Sequence, residues 1–156
     1  MVRPKAVLFD VAGTIIDTVD LHARAWAETL QKFGVEATFD DMRVQIVKGG
    51  DQLLHDLLHD LLPPERVNGV GDKLQSFRTE LFKRNYLPQA RAFPGVRGLF
   101  EQIRSRGQHM VLASSGKAEE VEVYKEIAGI ADLIDDATSS DDVERSKPFR
   151  QLPSCF

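Results

Sequence analysis

The run Ala6-Val7-Leu8-Phe9, closed by Asp10 and broken at Gly13, constrains this chain more than any other segment. Four consecutive apolar residues leave no polar face, so the segment reads as a strand buried on both sides of a parallel sheet. Ligands of such sheets collect beyond the C-terminal ends of the strands. Asp10 stands at that end, and Gly13 lets the following loop turn sharply and approach a ligand closely.

The elements that follow alternate as a doubly wound fold requires, with one interruption. Leu21, Ala25, Trp26, Thr29, Leu30 and Phe33 recur at helical spacing over residues 19–33, with Asp20 near the start and Gly34 after the end. A weaker helical pattern runs from Phe39 to Val47. A leucine-spaced helix over residues 51–62 is then halted by Pro63 and Pro64. Val67, Val70, Leu74, Phe77, Leu81 and Phe82 predict a further helix over residues 65–86, with Gly69 and Gly71 as points where it would divide. After Pro88 the character changes. A helix over 96–106 closed by Gly107, a buried strand over 109–113 ending at Ser114-Ser115-Gly116, and a helix over 118–127 before Gly129 follow in turn. Leu133 and Ile134 open a weaker third strand leading into residues 138–142. The chain is therefore read as an α/β core over residues 1–16 and 88–156, with a helical cap over 17–87 inserted after the first strand. Substrate is expected between core and cap.

Composition narrows the function. A hydrophobic fraction of 42%, a charged fraction of 28% and a net charge of -4 describe an ordinary folded chain with no basic stripe for a nucleic acid. The single cysteine, Cys155, excludes an internal disulfide or a cysteine metal cluster. The N-terminal run is too short for a signal peptide, and no segment approaches the ~18 apolar residues of a membrane span, so a cytoplasmic protein without a membrane partner is expected. His55 and His59 are four residues apart, but no glutamate next to His55 completes a zinc-binding pattern, and the pair reads as a polar helix face.

Phe9-Asp10-Val11-Ala12-Gly13-Thr14, the serine after the second core strand and the later Lys147-Pro148 together resemble the first three motifs of the haloacid dehalogenase superfamily. Asp17, Asp20, His22, Ala25 and Trp26, with Lys48-Gly49-Gly50, resemble its branch of helical-cap sugar-phosphate phosphatases and β-phosphoglucomutases. The resemblance implies a Rossmann-like core with an α-helical cap, acting on a small phosphorylated metabolite. Asp10 would be the nucleophile that forms an aspartyl phosphate, and Ser114 and Lys147 would hold and neutralise the transferring group. The amides of residues 11–14 would form a small anion nest. Gly13, Thr14, His22, Lys48, Gly49 and Ser115 would contact substrate. Mg²⁺ would be held by Asp10 and the backbone carbonyl of Ala12.

Two departures limit what carries over. Phosphatases of this family place a second aspartate where this chain has Ala12, a general acid/base worth about 10²- to 10⁴-fold in rate. The family also continues past Lys147-Pro148 with a helix, a strand bearing acidic metal ligands and usually one strand more, whereas only residues 149–156 follow here. The expectation is a C-terminally truncated, incomplete core, impaired in catalysis and open to self-association through an exposed sheet edge. Two alternatives remain. One is a phosphonoacetaldehyde hydrolase-like enzyme, since Asp-x-Ala-Gly-Thr occurs there with a cap lysine, here Lys48, that forms a Schiff base. The other is a non-catalytic fragment that binds phosphate or a partner.

Overall fold

The computed structural model describes residues 4–46 and 64–142. The predicted helix over 51–62 lies outside them, as do Lys48, Gly49, Lys147 and Cys155. The chain divides into two compact units, one of residues 1–17 with 91–156 and the other of residues 18–90.

The first unit is built on a parallel sheet. Strand β1 (Ala6–Asp10) pairs with β4 (His109–Ala113), which pairs with β5 (Asp136–Thr138), giving the order β1-β4-β5. The β1–β4 register sets Ala6 against His109 and Asp10 against Ala113. Helix α4 (Val96–Ser105) buries Val96, Phe100 and Ile103, and Phe100 stacks on Phe9 with ring centroids 4.5 Å apart. Helix α5 (Ala118–Ala128) buries Val121 and Tyr124. The fold is thus α/β, as expected, with a helical insert.

The third strand begins later than its apolar residues suggest. Leu133 is buried in a turn, its amide donating to Ile130 O at 2.9 Å, and pairing starts only at Asp136. Asp135 makes the junction. Its carboxylate accepts from the Met110 amide at 2.8 Å and from Arg104 at 2.9 Å, and these donors, the amide first, hold it below the usual carboxylate range. A ribbon of β2 (Ile16–Asp17) with β3 (Arg91–Ala92) carries no sequence signal, being two residues on each side.

Within this unit β1 pairs on one side only among the described residues, and Leu8 is 48% exposed. Strict burial on both faces, inferred from the apolar run, therefore does not hold at Leu8.

The second unit is helical. Helix α1 (Val19–Lys32) turns Ala23, Trp26, Ala27 and Leu30 inward, and Gly34 beyond its end has φ 77°, a left-handed conformation that glycine adopts without strain. Helix α2 (Phe39–Gln45) starts in a reciprocal capping box, Thr38 and Asp41 each satisfying the other's backbone. Asp20 and Arg43 join α1 to α2 at 2.8 Å. Helix α3 (Pro64–Leu81) runs through Gly69 and Gly71 without dividing. The expected cost of two helical glycines, about 1 kcal/mol each, is met by the packing of Leu74, Arg78 and Phe82 that the continuous helix permits. Residues Phe82–Tyr86 widen into a π-helical turn rather than finishing the helix regularly. Tyr86 donates to Glu28 at 2.7 Å; burial, aided by that carboxylate, pushes the phenol up to about 12. Among the described residues no helix is long and apolar enough to cross a membrane.

Candidate functional site

Because β1 and β4 are parallel and Asp10 lies opposite Ala113, the loops after both strands leave the same edge of the sheet. Asp10 and Ser114 therefore belong to neighbouring strand ends. The loop after Asp10 is a tight turn. Val11 O accepts from the amides of Thr14 (3.2 Å), Ile15 (2.9 Å) and Ile16 (3.1 Å), while the Gly13 amide donates to Ile16 O at 2.8 Å. Gly13 has φ 80° and supplies the conformation this closure needs. The anion nest is consequently smaller than the sequence implied, since the Gly13 and Thr14 amides are used inside the turn.

Thr14 instead contributes through its hydroxyl, which donates to Asp10 Oδ2 at 3.0 Å. That contact fixes the carboxylate rotamer and leaves Asp10 exposed at the strand end. Ala12 is exposed beside it, and its methyl group can neither give nor take a proton.

The loop after β4 is equally ordered. The Gly116 amide donates to Ser114 Oγ at 3.0 Å, the Ser114 amide to Thr138 O at 3.0 Å, and the Ser140 amide to Gly116 O at 2.9 Å. Ser115 is exposed at the tip. A Cβ at residue 116 would lie 3.0 Å from Glu120 Oε2 and 3.3 Å from Ser114 Oγ, so a larger residue there would press on both side chains. Glu120, buried on the first turn of α5, escaped the sequence reading, although an acidic first turn is a recognisable helix signal. Asp141 also escaped it. Its carboxylate accepts from the Ala118 amide at 2.9 Å from 23 residues away, a relation no local pattern announces.

His22 lies in the helical unit, buried and stacked on Phe82 with centroids 4.2 Å apart at 10°. The Arg78 guanidinium donates to His22 Nδ1 and sits over the rings of Phe82 (4.9 Å) and Trp26 (5.6 Å). Burial first, and the Arg78 charge second, push the imidazole well below its ordinary range, so it is neutral with its proton on Nε2. Arg78 carried no signal in the sequence, because an arginine among apolar helical positions reads as a solvated side chain.

The depressed imidazole makes stability depend on acid. A base whose folded pKa lies below its unfolded value of about 6.5 contributes fully above pH 6.5, and that contribution falls by about 1.4 kcal/mol per pH unit as pH drops toward the folded value. Denaturant midpoints measured between pH 7 and 5 should fall for the native chain and flatten for His22→Phe. The carboxylates of Asp41, Asp132 and Asp135, all held low, contribute to such loss only below about pH 4. An unchanged slope in His22→Phe would contradict the assignment.

As for a metal, no group of three or more His, Cys, Asp or Glu side chains is arranged to bind one among the described residues. The available donors are the Asp10 carboxylate and the Ala12 carbonyl. Both are hard oxygens, of the type Mg²⁺ takes when water and substrate phosphate complete its shell.

The profile of one family, described as a hydrolase, haloacid dehalogenase-like hydrolase, matches residues 4–156. The chain belongs to that family. A phosphoglycolate phosphatase of Aquifex aeolicus is 24% identical over 148 residues, covering 92% of this chain and 64% of the relative. Among solved structures, CbbY from Rhodobacter sphaeroides in complex with phosphate superposes with a TM-score of 0.72 at 23% identity, over 94% of this chain and 68% of that one. The same protein in complex with xylulose-(1,5)bisphosphate gives 0.72 at 22% identity, with the same coverage. At these identities the structures establish the fold. The chain thus spans about two thirds of the length of these relatives, and the expected shortness relative to the family is borne out.

Proposed function

We propose that this haloacid dehalogenase-like hydrolase binds a small phosphate ester at the C-terminal edge of its sheet and transfers the phosphoryl group to Asp10, with impaired turnover. The observation that carries this reading is the register that sets Asp10 beside the Ser114 loop, with Thr14 fixing the carboxylate. An Asp10 oxygen would form a bond to phosphorus as the bond from phosphorus to the ester oxygen breaks. Ser114 and Lys147 would bind the phosphoryl oxygens, and Gly13 would let the loop approach them. Ser115, His22, Lys48 and Gly49 are proposed to contact the rest of the substrate. Mg²⁺ held by Asp10 and the Ala12 carbonyl would supply charge compensation. The phosphatase relative and the phosphate and sugar-bisphosphate complexes of CbbY support a small phosphorylated substrate.

The impairment follows from chemistry at residue 12. With a methyl group there, the departing alkoxide must be protonated by water, and no neighbouring carboxylate activates the water that attacks the aspartyl phosphate. The native chain is expected to hydrolyse p-nitrophenyl phosphate slowly with Mg²⁺, and Asp10→Asn to remove that activity altogether. Activity retained in Asp10→Asn would overturn the assignment of the nucleophile.

The pairing of β1 on one side only among the described residues, with Leu8 exposed, favours a second reading, in which the chain binds phosphate without turnover and pairs that strand with another polypeptide. Phosphate binding by a chain inert in the same assay would select it.

A further inference from the structure

Helix α5 begins without help from its own N-cap, because Lys117 makes no side-chain capping bond. The Ala118 amide is satisfied instead by Asp141 Oδ2 at 2.9 Å, from the loop that follows β5. Asp141 is itself held, its amide donating to Ser139 Oγ at 3.2 Å. Two backbone bonds join the same pair of loops, Ser114 N to Thr138 O at 3.0 Å and Ser140 N to Gly116 O at 2.9 Å. Within the same loop, a Cβ at residue 116 would meet Glu120 at 3.0 Å and Ser114 at 3.3 Å. Asp141 supplies the one side-chain contact in this set that joins the two loops, and its oxygen does for the first turn of α5 what an N-cap side chain would do.

From this geometry we infer that Asp141 is a positioning residue. By capping α5 from the β5 side, it sets the Ser114-Ser115-Gly116 loop relative to Asp10. The part of this inference that concerns phosphate rests on the proposed function; the part that concerns loop geometry does not. An asparagine at the same position would still accept the Ala118 hydrogen bond, whereas alanine would not.

Amide hydrogen exchange on the full chain separates the two parts. Asp141→Ala is expected to speed exchange at Ser114 and Ser140 by about fivefold, and Asp141→Asn to restore it, the size expected for loss of one helix cap. In the same preparations, inorganic phosphate with Mg²⁺ should bind about fivefold more weakly to Asp141→Ala and near the native affinity to Asp141→Asn. Exchange that changes only within residues 118–121 would mark Asp141 as a helix cap and overturn the inference. So would unaltered phosphate affinity in Asp141→Ala when the native chain binds phosphate. Should the native chain fail to bind phosphate, the proposed function falls and the exchange result alone decides the inference about the loops. If Asp141→Ala does not fold, Asp141→Glu, which keeps the charge but shifts it by one methylene, should show the same losses in milder form.

Discussion

Replacing Ala12 with aspartate is expected to raise p-nitrophenyl phosphate hydrolysis by about 10²- to 10⁴-fold, the range of a positioned general acid/base. Several features of the site favour acceptance of the new side chain. Ala12 is exposed, and no non-glycine residue among those described has a positive φ, so the turn imposes no backbone conformation that aspartate would resist. Two residues away, Thr14 already holds Asp10 by its hydroxyl, so the nucleophile need not move. p-Nitrophenolate leaves without protonation, so the gain should come from hydrolysis of the aspartyl phosphate rather than from its formation. A pre-steady-state burst in the native chain, lost in Ala12→Asp, would locate the effect at that step. No gain in Ala12→Asp would mean that residue 12 is not what limits this chain.

The second large effect concerns the helical unit. Trp26→Ala is expected to destabilise that unit by about 3–5 kcal/mol, the usual cost of emptying a large aromatic site in a packed core. Trp26 is 2% exposed among Ala23, Leu30, Met42 and Leu74, and it forms one wall of the aromatic box around Arg78. Removal of the indole leaves a cavity and takes one face from a buried cation, so collapse of the neighbours cannot recover the loss. Val44→Ala, at a position 70% exposed, should change stability by less than about 0.5 kcal/mol. Denaturant titration followed by far-ultraviolet circular dichroism distinguishes these outcomes, and a Trp26→Ala transition close to the native midpoint would contradict the core assignment.

Much of this architecture is legible in the residues, and the exceptions have physical causes. The apolar runs at Ala6–Phe9 and Met110–Ala113 announce parallel strands, although the burial on both faces that such runs suggest fails at Leu8. Trp26 and Leu30 announce α1 because their spacing is helical. Strand β5 is misplaced by such reasoning, since Leu133 spends its side chain on a turn while Asp136-Ala137-Thr138 pairs through its backbone. The ribbon of Ile16–Asp17 with Arg91–Ala92 is too short for any period to register. Continuity of α3 through Gly69 and Gly71 reflects tertiary packing overriding local propensity.

At the site, Asp10, Gly13 and Thr14 are readable as a motif because they act within one loop. Asp141, Glu120 and Arg78 act on residues that only the fold brings near. His22 was visible as a residue of interest, but its neutral state follows first from burial and second from the charge of Arg78, 56 positions away.

The central claim is that Asp10 takes up the phosphoryl group. Incubation of the native chain with p-nitrophenyl phosphate and Mg²⁺, an acid quench and mass analysis of the peptide containing Asp10 test it directly. The account predicts one added phosphoryl group on that peptide, absent in Asp10→Asn and less abundant at steady state in Ala12→Asp, where hydrolysis is restored. Release of p-nitrophenolate with no modified peptide at any quench time, or a phosphoryl group found on another residue, would contradict it.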